Sequence, residues 1–287
     1  MKRIVKVLSA AVLAISLTGC EDAVAKLKDA DTVIMKVGDK TVTKGDVYSA
    51  MLAQNGSDVV RNQAMKVIGD IEVEETDEVR ESAEMDLEYY RTIYGSSFEE
   101  SLKQNNLTVE EYLETLIDEQ QANKLVTNYI EDNFETMLTN YSPVKATVLS
   151  FTKEEDASAV LAGFKDGSLT IEDAKVKYET SSSGKPEIVT VNTTTYGTAM
   201  LSVLLGQKAD DGWTMVSSTE NGNYYVMRVE DDDRNNYKDE IVNELYGTET
   251  INNNALAYYF EKYGFHVYDK ILYDTLANDY PSILVQK

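Results

Sequence analysis

Apolar residues recur at helical spacing over most of the chain, broken by a few stretches of strand-like alternation. Thr32 to Val37, the pair Gly38-Asp39 and Lys40 to Val42 predict a β-hairpin around a tight turn. Thr43, with Asp46 three residues on, has the spacing of a helix cap, and Val47, Met51 and Leu52 share one side of the helix it opens. A second helix is predicted over Asp58–Ile71 from Val60, Ala64, Val67, Ile68 and Ile71. From Asp77 to Tyr94 the stripe is Val79, Ala83, Leu87, Tyr90 and Tyr94, and Gly95 stops it. Ser97 to Gln104 reads as a short helix. Thr108-Val109-Glu110-Glu111 then has the form of a capping box opening a long helix. That helix carries Val109, Tyr112, Leu113, Leu116, Ile117, Leu125, Val126 and Tyr129, and its stripe continues to Phe134. Residues 32–140 are therefore predicted to be mostly helical, with one small hairpin.

The pattern changes at Tyr141-Ser142-Pro143. Lys145 to Phe151 is β-rich, and Thr152-Lys153-Glu154-Glu155 has capping-box spacing before Ala157, Val160, Leu161 and Phe164. Thr170 is placed to cap a short helix ending near Tyr178. Ile188–Val191 is extended, and Trp213–Val216 and Tyr224–Val229 flank Glu220-Asn221-Gly222-Asn223, a hairpin signal. An order of strand, two helices, a short strand, a helix and two strands describes a compact α+β domain. Helical spacing returns over Ile251–Tyr263 before a final stretch, Phe265–Lys287.

The first twenty residues follow a different logic. Lys2, Arg3 and Lys6 make a basic start, and Val7 to Leu17 is apolar apart from Ser9 and Ser16. A helix of that length rises only ~16 Å, well short of the ~30 Å hydrocarbon core. It reads as the apolar region of a secretory signal. Leu17-Thr18-Gly19-Cys20 matches a bacterial lipobox, in which small residues admit the signal peptidase and the Cys20 thiol accepts diacylglycerol. Two acyl chains give stable anchoring where one is marginal. The expected layout is a signal peptide over 1–19, a lipidated tether over 20–31, and a protein held at the extracytoplasmic face of a membrane.

Composition narrows the chemistry. Over 287 residues, 27 basic side chains face 50 acidic ones, a net charge of −23. Phosphate backbones repel such a chain, which argues against nucleic-acid partners. With a single cysteine no intrachain disulfide can form, and His266 is the only histidine, so sites needing two imidazoles are excluded. No metal or cofactor is expected. The acidic run Glu72–Glu78 lacks the central glycine and alternating oxygen ligands of a calcium loop and reads as a solvated loop and first helical turn. No P-loop, dinucleotide fingerprint or nucleophile elbow is present. The bias towards tyrosine, nineteen against six phenylalanines and one tryptophan, suits helix-core borders and also wet surfaces that grip apolar segments.

A lipobox followed by the Val37–Tyr48 hairpin and helix resembles the PrsA family, extracytoplasmic foldase lipoproteins of Gram-positive bacteria related to periplasmic SurA. Phe98–Gln104 followed by Leu107–Leu113 resembles that family's N-terminal chaperone region. Val144-Lys145-Ala146-Thr147 resembles the opening of its parvulin-type prolyl isomerase domain, and Asn223–Val229 that domain's last strand. Tyr258-Tyr259-Phe260 and Val267-Tyr268-Asp269-Lys270 resemble the segment that returns to the chaperone domain. The resemblance implies an α+β protein: a mostly helical chaperone domain from 32–144 and 233–287, with a parvulin-like domain inserted at 145–232. It implies unfolded exported polypeptides as partners and leaves the oligomeric state open, a dimer included.

The parvulin positions depart from the family. Where its two histidines are expected, this chain has Val148 and Tyr225, and the glycine-rich loop is replaced by Gly184-Lys185-Pro186-Glu187. Prolyl isomerisation has a barrier of about 18–20 kcal/mol, and lowering it needs polar groups that favour the twisted amide. Val148 offers none. The reading that follows is a membrane-anchored chaperone whose isomerase activity is lost. The alternatives are an active prolyl isomerase of that family and a solute- or cell-wall-binding lipoprotein. A solute-binding protein would need two α/β lobes, which the helical first half argues against.

Overall fold

The structure is a computed structural model that describes residues 27–180 and 182–285. The lipobox Leu17–Cys20 lies outside the described residues. None of the described helices is long and apolar enough to cross a membrane. Two compact units are present, one made of residues up to Asn62 with Phe265 onward, the other of Gln63–Gly264.

The first unit contains the predicted hairpin, β1 (Val33–Val37) and β2 (Lys40–Thr43), antiparallel with Val37 opposite Lys40. Gly38 turns the chain at φ +59°, a left-handed conformation that glycine adopts without steric cost. Thr43 caps α1 (Lys44–Glu72) as its spacing predicts. Its hydroxyl accepts from the Asp46 amide at 3.2 Å, and the Asp46 carboxylate accepts from the Thr43 amide at 2.8 Å. The Thr43 amide, and after it the Thr43 hydroxyl donating at 2.9 Å, hold the Asp46 carboxyl below the usual carboxylate range.

The expected pair of helices over 44–71 is instead one helix of 29 residues, passing unbroken through Gly56. The glycine has a packing reason. A Cβ there would sit 2.7 Å from Leu272 of α11 (Lys270–Asp279), so the two helices approach closely at that point. Beside it Ser57 donates to Asp279 at 2.7 Å, and the Arg61 guanidinium lies 4.5 Å from the Tyr280 ring centroid. Sequence periodicity did not reveal α11, whose cap is Asp269 accepting from the amides of Ile271 and Leu272.

The second unit opens with the end of α1. There Met65 and Ile68 are buried while Val67 and Ile71 of the expected stripe face solvent. Next come α2 (Asp77–Tyr94), α3 (Ser96–Gln104), α4 (Val109–Asp132) and α5 (Phe134–Tyr141). The capping box at Thr108 and Glu111 forms as predicted. Ala83 and Leu87 of α2, Phe98 and Leu102 of α3, and Leu113, Leu116 and Ile117 of α4 make one cluster. Glu72 is not a solvated loop residue. It ends α1 and accepts hydrogen bonds from Lys262 and Tyr263, which lower its pKa.

Then follow β3 (Val144–Phe151), α6 (Glu154–Asp166), α7 (Ile171–Lys177), β4 (Glu187–Val189), α8 (Thr198–Leu204), β5 (Thr214–Ser217) and β6 (Tyr224–Asp231). The expected box at Thr152 is absent. Lys153 is the N-cap of α6, and no side chain caps it. The four strands form an antiparallel sheet in the order β4-β3-β6-β5, so the two long strands are central. Helices α9 (Lys238–Tyr246) and α10 (Glu249–Lys262) complete the unit. Ile241, Val242 and Leu245 of α9 pack with Val126, Ile130, Phe134 and Tyr141 in a cluster that also takes in Ile188 of β4. The molecule is α+β, largely helical, as its sequence pattern implies.

Candidate functional site

Period-two alternation decides which side chains meet on the central strands. On β3 and β6, Val144, Ala146 and Val148 share a face with Tyr225, Met227 and Val229, while Leu149, Phe151 and Val226 take the other. Val148 stands opposite Met227, and Ser150 opposite Tyr225. Val148 and Tyr225 are therefore diagonal neighbours on one face, about 7–8 Å apart at such positions. The structure brings the two expected positions together.

That face is sealed. Met200 and Leu204 of α8 are fully buried against it, Val148 is 2% exposed and Tyr225 1%. The Tyr225 hydroxyl accepts from the Asn221 side-chain amide at 2.7 Å. Its ring meets Tyr196 edge-on, centroids 5.5 Å apart. Tyr196 donates in turn to Glu187, and burial above all, then that carboxylate, pushes its phenol well above the usual tyrosine range. Glu220 accepts from the Thr198 hydroxyl and amide, which lowers its pKa. A substrate proline would have to displace packed side chains to enter.

Of the remaining sequence-based candidates, Glu187 reaches this face through Tyr196. Gly184 of the replaced loop adopts φ +71°, and Glu187 opens β4. His266 belongs to the first unit and is exposed, its ring 4.5 Å from that of Tyr268. Among the described residues no three histidine, cysteine or carboxylate side chains gather as a metal site.

Sequence periodicity did not single out the apolar surface. In the first unit Val33, Ile34, Met35 and Val37 are each at least half exposed, as is Met51. In the second unit Met85, Tyr89 and Ile93 stand out from α2 at 67%, 60% and 55% exposure. The signal was present as apolar residues off the core-facing stripe, which burial alone could sort.

No protein-family model matches the chain, and no curated protein matches it. Solved structures similar to it include the foldase protein PrsA from Streptococcus pneumoniae, at 13% identity over 85% of this chain and 98% of that one, with a TM-score of 0.46. PrsA from Bacillus subtilis is 19% identical over 86% and 98%, with a TM-score of 0.39. A SurA-like chaperone of Campylobacter jejuni is 17% identical over 78% and 92%, with a TM-score of 0.26. Identity and TM-score at this level bear on no activity.

Proposed function

We propose that this protein is a membrane-anchored extracytoplasmic chaperone that holds unfolded exported polypeptides and does not catalyse prolyl isomerisation. The sealed face around Val148 and Tyr225 carries the second half of that reading. An apolar cluster that encloses the Tyr225 side chain presents no exposed donor to a twisted amide. The apolar side chains left exposed on β1 and, separately, on α2 support the first half, since exposed apolar side chains gathered on one element are a mark of an interaction site. Transient capture of apolar segments lowers the free unfolded population and so suppresses aggregation. It needs no catalytic residue.

The test runs two assays on one preparation. Uncatalysed X–Pro isomerisation takes tens of seconds, so catalysis would be plain to see. The protein is expected to leave that rate unchanged in a proline tetrapeptide while reducing aggregation of a denatured client. A rate increase abolished by Tyr225→Phe would overturn the silent-site reading.

Placement rests on Leu17-Thr18-Gly19-Cys20. Cys20→Ala is expected to release the protein from the membrane or leave its precursor unprocessed. Wild-type fractionation of that variant after high-salt washing would sink the lipid anchor. The proposed domain division places a parvulin-like insert at 145–232 within a chaperone domain formed by 32–144 and 233–287. Its support is the antiparallel sheet whose four strands all fall between Val144 and Asp231.

A further inference from the structure

Thr76 caps α2 through the Val79 amide, and the helix then turns a continuous row outward. Glu78 and Ser82 are followed at helical spacing by Met85, Tyr89 and Ile93, opposite the buried Ala83 and Leu87. At the N-terminal end of the row lies a groove of about 530 Å³ between α2, α4 and α9. Its walls include Glu74, Glu78, Ser82, Asn128, Asn243 and Lys124. The side-chain amides of Asn128 and Asn243 make no hydrogen bond among the described residues, so they are open to a peptide main chain. Glu72 at the groove's edge is already held by Lys262 and Tyr263.

Charge is one-sided along this row. The α2 arginines are engaged, Arg80 with Glu75 and Glu114, and Arg91 with Glu88 and Glu99. Among the described residues Glu74, Glu78, Glu81 and Glu84 have no cationic partner, against Lys124 in the groove wall. From Glu78 to Ile93 the row runs ~22 Å at 1.5 Å per residue. An extended peptide covers that length in about seven residues.

We infer that this row and groove bind an extended polypeptide segment carrying lysine or arginine at one end and apolar side chains at alternate positions after it. The basic end enters the groove beside Glu74 and Glu78, and the apolar side chains lie on Met85, Tyr89 and Ile93. The inference deepens the chaperone reading and rests on it, naming the class of segment the protein selects.

Fluorescence anisotropy of a labelled peptide, Lys-Lys-Ser-Leu-Ser-Phe-Ser-Leu-Ser, titrated with the full-length chain is the direct test, beside the same peptide starting Glu-Glu. The lysine peptide should bind at least tenfold more tightly, and added salt should narrow that difference because the carboxylates are exposed. Glu74→Gln with Glu78→Gln should remove the preference while sparing the apolar part. Met85→Ser with Tyr89→Ser should weaken both peptides about tenfold. All four side chains are exposed, and matching circular dichroism melts will show that each variant is folded. Equal affinity for the two peptides, or unchanged affinity in the folded variants, overturns the site. In that event intact aggregation suppression by the wild type leaves the chaperone reading standing. Absence of suppression would remove that reading, and the titration would still decide the site.

Discussion

Single side chains at the sheet face carry the proposal that the site does not catalyse isomerisation. Tyr225 has its hydroxyl bonded to Asn221 and its ring enclosed, so it acts as a core residue with one polar tip. Tyr225→Phe should cost about 1 kcal/mol, the net worth of one hydrogen bond, read as a shift in urea midpoint. Val148→Ala should cost about 2 kcal/mol for a buried valine side chain, measured the same way. The strands that carry both positions were legible from the sequence because strand alternation and hairpin chemistry are local, while the two positions themselves come from the family resemblance. The sealing of the face was not, because Met200 and Leu204 arrive from a helix fifty residues away from Val148. Glu72 shows the same limit. It reads as one acid in an acidic run, yet Lys262 and Tyr263, far off in sequence, pull its pKa down. A carboxyl lowered on folding stabilises the native state above its unfolded pKa of about 4.3, and that stability fades as pH falls through the native value. Glu72→Gln should therefore be less stable than wild type at pH 7 and draw level in acid, as urea melts at both pH values would show.

At the level of elements, caps were legible only where the chain used its own local side chains. Thr108 and Glu111 satisfy each other as their spacing demands, whereas Thr152 and Glu155 have the same spacing and the cap falls one residue later, at Lys153, with the helix beginning at Glu154. Gly56 and Gly163 both lie inside helices, and each marks a close approach. A Cβ on Gly163 of α6 would stand 2.7 Å from the Cβ of Leu169, which cannot swing aside. Alanine normally favours a helix over glycine by about 1 kcal/mol. Gly163→Ala should nevertheless lower the melting temperature, since overpacking a core costs about 1–3 kcal/mol. Such approaches depend on partners that periodicity does not name. Helices α9 and α11 escaped for a related reason, their apolar stripes being short and broken by polar residues.

For the whole molecule, the compact units and the proposed domains divide the chain differently. Gln63–Gly264 holds both the four-stranded sheet and the helices packed around α4, and Ile188 of β4 sits in a cluster with Tyr141, Tyr237 and Ile241. Deleting 145–232 with a short bridge is still expected to leave a cooperatively melting helical protein, at lower stability because Ile188 is lost from that cluster. Residues 145–232 alone should fold as well, since the sheet carries its own apolar clusters on both faces. A cooperative melt in neither protein would refute the division. The acidic charge of −23 and the exposed apolar row on α2 fit a protein that meets cationic, incompletely folded chains. The most direct measurement is the refolding of a client whose slow phase is set by proline isomerisation, with yield and rate read from the same trace. Added protein should raise the yield of native client and leave the slow rate constant no faster. A slow phase that accelerates in proportion to added protein would contradict it.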